Sequence, residues 1–223
     1  IKTTLMTRLV IFDLDGTLLD TIDDLAISTN YALRQFGFPE HALSEYPYFV
    51  GNGITKLIER ALPQDRRDEA TINRIKQEFV KYYQQHKTDR TRPYQGIPSV
   101  LEVLNEKGIL LAVASNKYHQ GTDELVRHYF GSSLFKVIAG QKEGIPVKPD
   151  PAVIRYILSQ TGISNTETLY VGDSGVDMQT AIHSGVTSIG VTWGFRPRRE
   201  LEENGANHIA ERPYDILNFI QTR

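Results

Sequence analysis

The chain has 223 residues, of which 40% are hydrophobic and 23% charged, a composition typical of a folded globular protein rather than a disordered one. Its 25 basic and 27 acidic residues give a formal charge of -2, so no general field attracts DNA or RNA, and we expect no nucleic-acid partner. The absence of cysteine excludes a disulfide framework and thiolate zinc sites. The apolar run near the N-terminus is too short for a signal peptide or a membrane span, which predicts a cytoplasmic protein without a membrane partner.

The first predicted element is a strand that ends in two carboxylates. The stretch "LVIFDLDGTLLDT" begins at Leu9 and places Asp13 and Asp15 directly after a run of strong strand formers. An unpaired charge in a buried strand is costly. These two side chains therefore need compensation from another group.

The next block, residues 21–87, is predicted to be almost entirely helical. Its first helix has Thr21 and Asp24 at the spacing of a capping box and an apolar face at helical period. Two further helices are predicted to start at Gly53 and near Asp65.

From Gly96 onward, predicted helices and strands alternate. The strands "ILLAVASN", "KVIAG", "TLYVGD" and "TSIGV" are mostly apolar without alternation, which predicts a parallel sheet covered by helices on both faces. We therefore predict an α/β fold: a Rossmann-like parallel sheet core with an α-helical cap inserted after the first strand. The predicted boundaries assign residues 1–20 and 88–223 to the core and residues 21–87 to the cap.

Polar side chains follow several of the predicted strands, at the sheet edge where open parallel sheets carry their chemistry. Carboxylates that share such an edge repel one another unless a divalent cation joins them, and oxygen ligands suit Mg²⁺. A hydroxyl, a lysine and helix N-termini in the same place favour a phosphate group. The set therefore indicates phosphoryl transfer, with Mg²⁺ as cofactor and a small phosphorylated molecule as partner. Its members are Asp13, Asp15, Ser115, Asn116, Lys148, Asp173 and Asp177.

In their order along the chain, these motifs resemble those of the haloacid dehalogenase superfamily of phosphohydrolases. "DLDGT" at Asp13–Thr17 matches the first motif, Ser115 the second, Lys148 the third, and "GDSGVD" at Gly172–Asp177 the fourth. The resemblance implies that Asp13 is the nucleophile that accepts the phosphoryl group. It also implies that Asp15 is the general acid and base.

The same resemblance implies roles for the remaining residues of the set. Ser115 and Lys148 would hold the transferring phosphoryl oxygens. The metal would be bound by Asp13, the backbone carbonyl of Asp15, and Asp173. The residues expected to orient these ligands from outside are Asp177 and Ser174, and those expected to contact the substrate are Gly16, Thr17 and Asn116.

The segment "FVGNGITKLIERAL" from Phe49 to Leu62 is similar to the cap segment of phosphoglycolate phosphatases. Backbone amides at the start of the helix in this segment could receive a small carboxylate, although the glycines would equally suit a plain turn between helices. The predicted substrate is therefore 2-phosphoglycolate, hydrolysed through an aspartyl-phosphate. The predicted contacts in the cap are Gly51, Asn52, Gly53 and Lys56.

Several alternatives stay open at this point. Related caps serve β-phosphoglucomutase-like phosphomutases, pyrophosphatases and other sugar or nucleotide phosphatases. A non-catalytic sensor of a phosphorylated metabolite could share the fold, although the intact acidic set argues against it. The sequence is compatible with a monomer or a homodimer. "RPRRE", which begins at Arg196, is predicted to be a solvated turn.

Overall fold

The structure is a computed structural model and describes residues 6–221. Six strands form one sheet in the order β5-β4-β1-β6-β7-β8, and every neighbouring pair is parallel; β2 and β3 form a separate antiparallel ribbon. The strands are β1 (Leu9–Phe12), β2 (Leu19–Asp20), β3 (Arg92–Pro93), β4 (Leu110–Tyr118), β5 (Val137–Gln141), β6 (Thr168–Gly172), β7 (Thr187–Val191) and β8 (His208–Ala210).

Helices connect the strands and cover the sheet. The α-helices are α1 (Ile22–Gln35), α2 (Ile54–Ala61), α3 (Glu69–His86), α4 (Ile97–Glu106), α5 (His119–Phe130), α6 (Ala152–Thr161), α7 (Gly175–Ser184) and α8 (Arg198–Glu203). Short 3₁₀ helices occupy Leu43–Tyr48, Gln64–Arg66, Asn165–Glu167 and Pro213–Phe219. None of the helices within residues 6–221 combines the length and the apolarity needed to cross a membrane.

The central strand β1 is buried on both faces, as its uninterrupted apolar sequence requires. Successive side chains point to opposite faces of the sheet. Leu9 and Ile11 therefore join one hydrophobic cluster, whereas Val10 and Phe12 join the cluster on the other side. The predicted α/β fold, a parallel sheet between two layers of helices, is confirmed.

The three helices α1, α2 and α3 follow the first strand and share a hydrophobic cluster of their own. Leu33, Ile58 and Phe79 belong to this cluster, one from each helix. The antiparallel ribbon of β2 and β3 lies where the chain leaves the sheet core and returns to it. The predicted inserted helical cap is confirmed, whereas its boundaries at residues 21 and 87 stay a prediction.

The capping box predicted at the start of α1 is wrong. No side chain caps this helix. The Thr21 hydroxyl instead donates to Asp15 Oδ1 at 2.7 Å, and the Asp24 carboxylate accepts from Thr91, whose backbone N–H and hydroxyl both lie 2.8 Å away. Asp24 thus finds its partner 67 residues away, and Thr21 turns back to the carboxylate after the first strand, so neither side chain is free to cap the helix.

We predict that Asp24→Ala destabilises the protein by about 2–4 kcal/mol, because several donors in the returning chain lose their acceptor in a buried place. The side chain of Asp24 is buried and also accepts from the backbone N–H of Arg90. Urea denaturation measures this loss. The neighbouring Asp23→Ala is the matched control, because Asp23 makes only an exposed ion pair, and its effect should stay within about 0.5 kcal/mol. Equal effects of the two substitutions would contradict this account of the junction between core and cap.

Candidate active site

The candidate site lies at the carboxyl edge of the sheet, where β1 runs between β4 and β6. Asp13 follows β1 and Asp173 follows β6, so parallel pairing brings the two carboxylates to the same edge. The pairing of β4 with β5 shifts register between Ala114 and Tyr118. Such an irregularity re-aims side chains, and here it falls on the stretch that carries Ser115.

Lys148 ties the carboxylates of this edge together. Its Nζ atom donates to Asp13 Oδ1 at 2.9 Å and to Asp177 Oδ1 at 2.7 Å. It also lies 2.8 Å from the hydroxyl of Tyr170 and 3.1 Å from the carbonyl oxygen of Ala114. The lysine side chain is 2% exposed, so its charge acts in a medium that screens it little.

Both oxygens of the Asp177 carboxylate are fully engaged. Oδ1 accepts from Lys148 and from the Tyr170 hydroxyl, and Oδ2 accepts from the Ser174 hydroxyl at 2.6 Å and from the Ser174 N–H at 3.1 Å. Ser174 is also the N-cap of α7, and with Asp177 it forms a capping box. The start of α7 therefore holds Asp177 in place beneath Lys148.

Burial and mutual repulsion set the protonation of this cluster. Burial raises the pKa of Asp13 to about 7, although Lys148 opposes the shift. Burial and repulsion by Asp177 and Asp13 raise the pKa of Asp173 well above its usual range. Burial alone would also raise the pKa of Asp177, but its bonds to Lys148 lower that pKa below the usual value. One lysine thus neutralises only part of the acidic cluster.

The acidic cluster fits a divalent cation. Carboxylate oxygens of Asp13, Asp173 and Asp177 lie within 4.8 Å of one another. Asp173 accepts from the Phe195 N–H at 2.7 Å and from the Thr17 hydroxyl at 3.4 Å. Within residues 6–221, no lysine or arginine forms a salt bridge with Asp173. Its charge therefore lacks a cationic partner, and a metal bound by oxygen atoms would supply one.

Glycines allow the backbone to approach Asp173 closely. A Cβ atom added at Gly16 or at Gly194 would overlap the Asp173 side chain, and Gly16 also has a positive φ of 86°. The two glycines thus form a cradle around this carboxylate.

Asp15 has different partners from Asp13. Its carboxylate accepts from Lys117 Nζ at 3.1 and 3.3 Å and from the Thr21 hydroxyl. Sequence reasoning missed Lys117. A usable signal existed, because Lys117 follows Ser115 by two residues in a strand, and that spacing favours the same side of the sheet. The Lys117 N–H does donate to Ser115 Oγ at 3.1 Å.

A cavity between the sheet edge and the cap collects most of the predicted residues. Its wall on the cap side is mainly apolar. The lining residues that were predicted are Asp13, Asp15, Gly51, Gly53, Ser115, Asn116, Asp173 and Ser174. Those that were not predicted include Leu25, Val50, Ile54, Leu57, Phe79, Tyr83, Lys117, Tyr118, Phe195 and Arg196.

The remaining predicted residues lie behind or outside this cavity. Lys148, Asp177 and Thr17 support lining carboxylates from behind. The structure does not bring Lys56 or Asn52 to the cavity wall. Lys56 Nζ pairs with Glu59 at 2.7 Å on an exposed surface, and the Asn52 side chain accepts from Arg60 at 2.8 Å.

Asn116 connects three parts of the site. Its Nδ2 atom donates to the carbonyl oxygens of Gly51 and Lys148, both at 3.1 Å, and its Oδ1 atom accepts from the Lys148 N–H at 2.8 Å. The side chain thus joins the strand that carries Ser115 to the loop that carries Lys148. It also joins both to Gly51, the first glycine of the segment at residues 46–53, which we call the cap loop.

The prediction that the "RPRRE" segment is only a solvated turn is wrong for its first residue. The side chain of Arg196 is 12% exposed, and its guanidinium donates to the carbonyl oxygens of Pro47 and Val50, the latter at 3.0 Å. It also lies over the ring of Tyr48 at 5.7 Å. Arg196 therefore fastens the cap loop to the core, through contacts that bridge about 150 residues of chain and leave no local sequence signal.

Known proteins resemble this chain along almost its whole length. A family model described as haloacid dehalogenase-like hydrolase matches residues 10–191. The phosphoglycolate phosphatase of Mannheimia succiniciproducens is 31% identical over 220 residues, covering 96% of this chain and 98% of that protein. The phosphoglycolate phosphatase of Neisseria meningitidis serogroup A is 36% identical over 200 residues, covering 88% and 85%.

Solved structures resemble the fold equally closely. A crystal structure from Lactobacillus delbrueckii subsp. bulgaricus, whose phosphoglycolate phosphatase name is provisional, superposes with a TM-score of 0.91. The two chains are 30% identical, and the match covers 98% of this chain and 100% of that one.

We predict that Arg196→Met accelerates hydrogen exchange about tenfold or more at the amides of Phe49 and Val50, because the cap loop loses its bonds to the core. Both amides donate to Tyr46 within the cap loop, so their exchange reports its opening. Exchange measured by mass spectrometry on peptides spanning residues 46–53 tests this. Arg199→Met is the control, since that side chain is 85% exposed and should leave the loop unchanged. Unaltered exchange in Arg196→Met would show that the contact does not hold the loop.

Proposed function

Because the chain belongs to the haloacid dehalogenase-like hydrolase family and its relatives indicate a phosphoric monoester hydrolase, we propose that it hydrolyses 2-phosphoglycolate to glycolate and phosphate. The observation that carries the proposal is the arrangement of Asp13 and Asp15, two carboxylates that line one cavity and have separate lysine partners. Asp13 is the nucleophile in this proposal, and Asp15 transfers the proton. The choice of substrate is supported by the relatives that match most of the chain, which are named phosphoglycolate phosphatases.

The reaction proceeds in two displacements. In the first, an oxygen of Asp13 attacks phosphorus, the ester P–O bond breaks, and Asp15 gives its proton to the leaving alkoxide. In the second, Asp15 takes a proton from water, the water oxygen attacks phosphorus, and the bond from phosphorus to Asp13 breaks. Inorganic phosphate leaves, and Asp13 returns to the carboxylate form.

Two polar groups hold the phosphoryl oxygens in this scheme. Ser115 lines the cavity, and Lys148 stands next to Asp13, where charge develops during transfer. Asn116 follows Ser115 in the chain and accepts from the Lys148 N–H, so it fixes the position of Lys148 relative to Ser115. We therefore propose that Asn116 positions these two residues, whereas its sequence position predicted a contact with the substrate.

Asp13, Asp173 and the backbone carbonyl of Asp15 would hold Mg²⁺. When bound, the ion would offset the charge of the nucleophile and of the phosphoryl group. Asp177 orients the site from outside the ligand set, because its oxygens are already engaged by Lys148, Tyr170 and Ser174. We infer that the reaction takes place in the cytoplasm.

The apolar cap wall favours a small leaving group over a sugar. Leu57 and Phe79 line the cavity from the cap, with Phe195 of the core beside them, and these side chains offer no partner to the hydroxyl groups of a hexose. A buried hydroxyl without a hydrogen bond is costly, so sugar phosphates bind poorly. The cavity therefore suits a hydrolase of a short phosphomonoester better than a β-phosphoglucomutase-like phosphomutase.

We predict that Asp13→Asn lowers kcat/KM by about 10³-fold or more, because the amide cannot act as the nucleophile. Phosphate release is measured from 2-phosphoglycolate, β-glucose 1-phosphate, pyrophosphate and nucleoside monophosphates, with Mg²⁺ and with chelator. Far-UV circular dichroism confirms the fold of the variant. Asp65→Asn, at a side chain that is 81% exposed, is the matched control and should keep full activity.

The substrate panel separates the alternatives. A large lead of 2-phosphoglycolate that chelator abolishes supports the proposal. Comparable rates for several substrates would support a phosphomonoester hydrolase but would reject 2-phosphoglycolate as its specific substrate. Isomerised sugar phosphate without free phosphate would identify a phosphomutase. Binding without turnover across the panel would identify a sensor.

We predict that Mg²⁺ binds at least about tenfold more weakly at pH 6 than at pH 8, because the ligand carboxylates must lose protons first. Without the ion, the pKa of Asp13 lies at about 7 and that of Asp173 is also raised, so both bind protons as the pH falls. Calorimetric titration in two buffers of different ionisation enthalpy counts the released protons. Affinity that is independent of pH would contradict this description of the cluster.

A further inference from the structure

Within residues 6–221, three cationic side chains stand at or directly behind the cavity, and two of them already have other roles. Lys148 has four acceptors, two of which are carboxylates. Arg196 bonds two carbonyl oxygens of the cap loop and pairs with Glu200 at 3.5 Å. Lys148 acts beside Asp13 on the phosphoryl group in the proposed function, and Arg196 holds residues 47 and 50, so neither serves the other end of a ligand that enters the cavity.

Lys117 is the third cation, and its situation differs. Its side chain is 5% exposed and lines the cavity. Among the described residues, the acceptors of its Nζ atom are the two oxygens of the Asp15 carboxylate. The same Nζ atom lies 4.8 Å above the ring of Tyr83, which also lines the cavity. An ammonium group has three N–H donors, so the contact with Asp15 leaves capacity for one more anion.

We propose that Lys117 binds a carboxylate on the leaving group and thereby selects phosphate esters of 2-hydroxy carboxylates. This inference rests on the proposed function, in which Asp15 protonates the leaving oxygen. That oxygen must approach the Asp15 carboxylate, and Lys117 Nζ lies 3.1 Å from that carboxylate. In a 2-hydroxy carboxylate, a single carbon separates the leaving oxygen from the carboxyl group. The carboxyl group therefore reaches Lys117 when the leaving oxygen reaches Asp15.

The surroundings of Lys117 make such a contact selective. The apolar wall formed by residues such as Leu57 and Phe79 keeps the interaction poorly screened. A neutral substituent in the same place would offer the remaining N–H donor of Lys117 no charged acceptor and would itself be desolvated. Selectivity for the acid thus comes from a strand residue of the core and not from Lys56, whose ammonium group is paired with Glu59 on the cap surface.

The test compares 2-phosphoglycolate with 2-phosphoglycolamide, in which a carboxamide of similar shape replaces the carboxylate. We expect the unmodified enzyme to prefer the acid by about 10- to 100-fold in kcat/KM. In Lys117→Met both rates fall because Asp15 loses its partner, but the preference itself falls to nearly one. Lys117→Arg keeps the positive charge and should retain most of the preference. Lys107→Met, which removes an exposed lysine outside the cavity, should keep both rates.

The outcomes that would overturn the inference are distinct from those that would overturn the proposed function. Equal rates for acid and amide in the unmodified enzyme, or an unchanged preference in Lys117→Met, would show that Lys117 only positions Asp15. Absence of turnover with every phosphomonoester would instead reject the hydrolase of the proposed function. If circular dichroism shows that Lys117→Met does not fold, Lys117→Gln provides the same comparison of ratios with a polar side chain.

Discussion

The contact of one buried lysine with two buried carboxylates is the interaction on which the site depends. Lys148 joins Asp13, after the central strand, to Asp177, in the first turn of α7. Without the lysine, three carboxylates would repel one another in a medium of low polarity. With it, two negative charges are still uncompensated, and the raised pKa values of Asp13 and Asp173 express this deficit. The shortage of positive charge makes the sheet edge suitable for a divalent cation and for a phosphoryl group held beside it.

The cap is tied to this edge at several separated points. The carboxylate of Asp24 holds the returning chain, Asn116 holds Gly51, and Arg196 holds the loop before it. In each case a side chain satisfies backbone groups that a loop would otherwise expose to water or leave buried without partners. The cap therefore meets the core through polar contacts at its edges, whereas its own interior is held by a hydrophobic cluster. The internal packing of each part therefore depends little on the contacts between them.

The cavity between core and cap combines strong charge at its base with apolar side chains above. The base carries Asp13, Asp173 and Ser115, and the roof carries residues such as Val50 and Ile54. Such a cavity stabilises charge that develops at the base and penalises polar groups that reach the roof unpaired. Lys117 lies at the boundary between these two regions, beside Asp15 and above the Tyr83 ring. A ligand with an anion at each end of a short carbon chain matches this distribution.

The sequence by itself determined the parallel α/β sheet, the inserted helices and the residues of the acidic set. Apolar strands that alternate with helices leave few ways to pair, and parallel pairing brings the residues after β1, β4 and β6 to one edge. Only the tertiary structure decided the partners of Thr21, Asp24, Lys117 and Arg196. The hydrogen bonds and ion pairs of Asp24, Lys117 and Arg196 connect groups that lie far apart in the chain. The partner of Thr21 is nearer, but the local spacing of Thr21 predicted a capping box instead. Periodicity and local spacing report which face a residue occupies within its own element, whereas the choice among distant partners depends on how separate elements pack together.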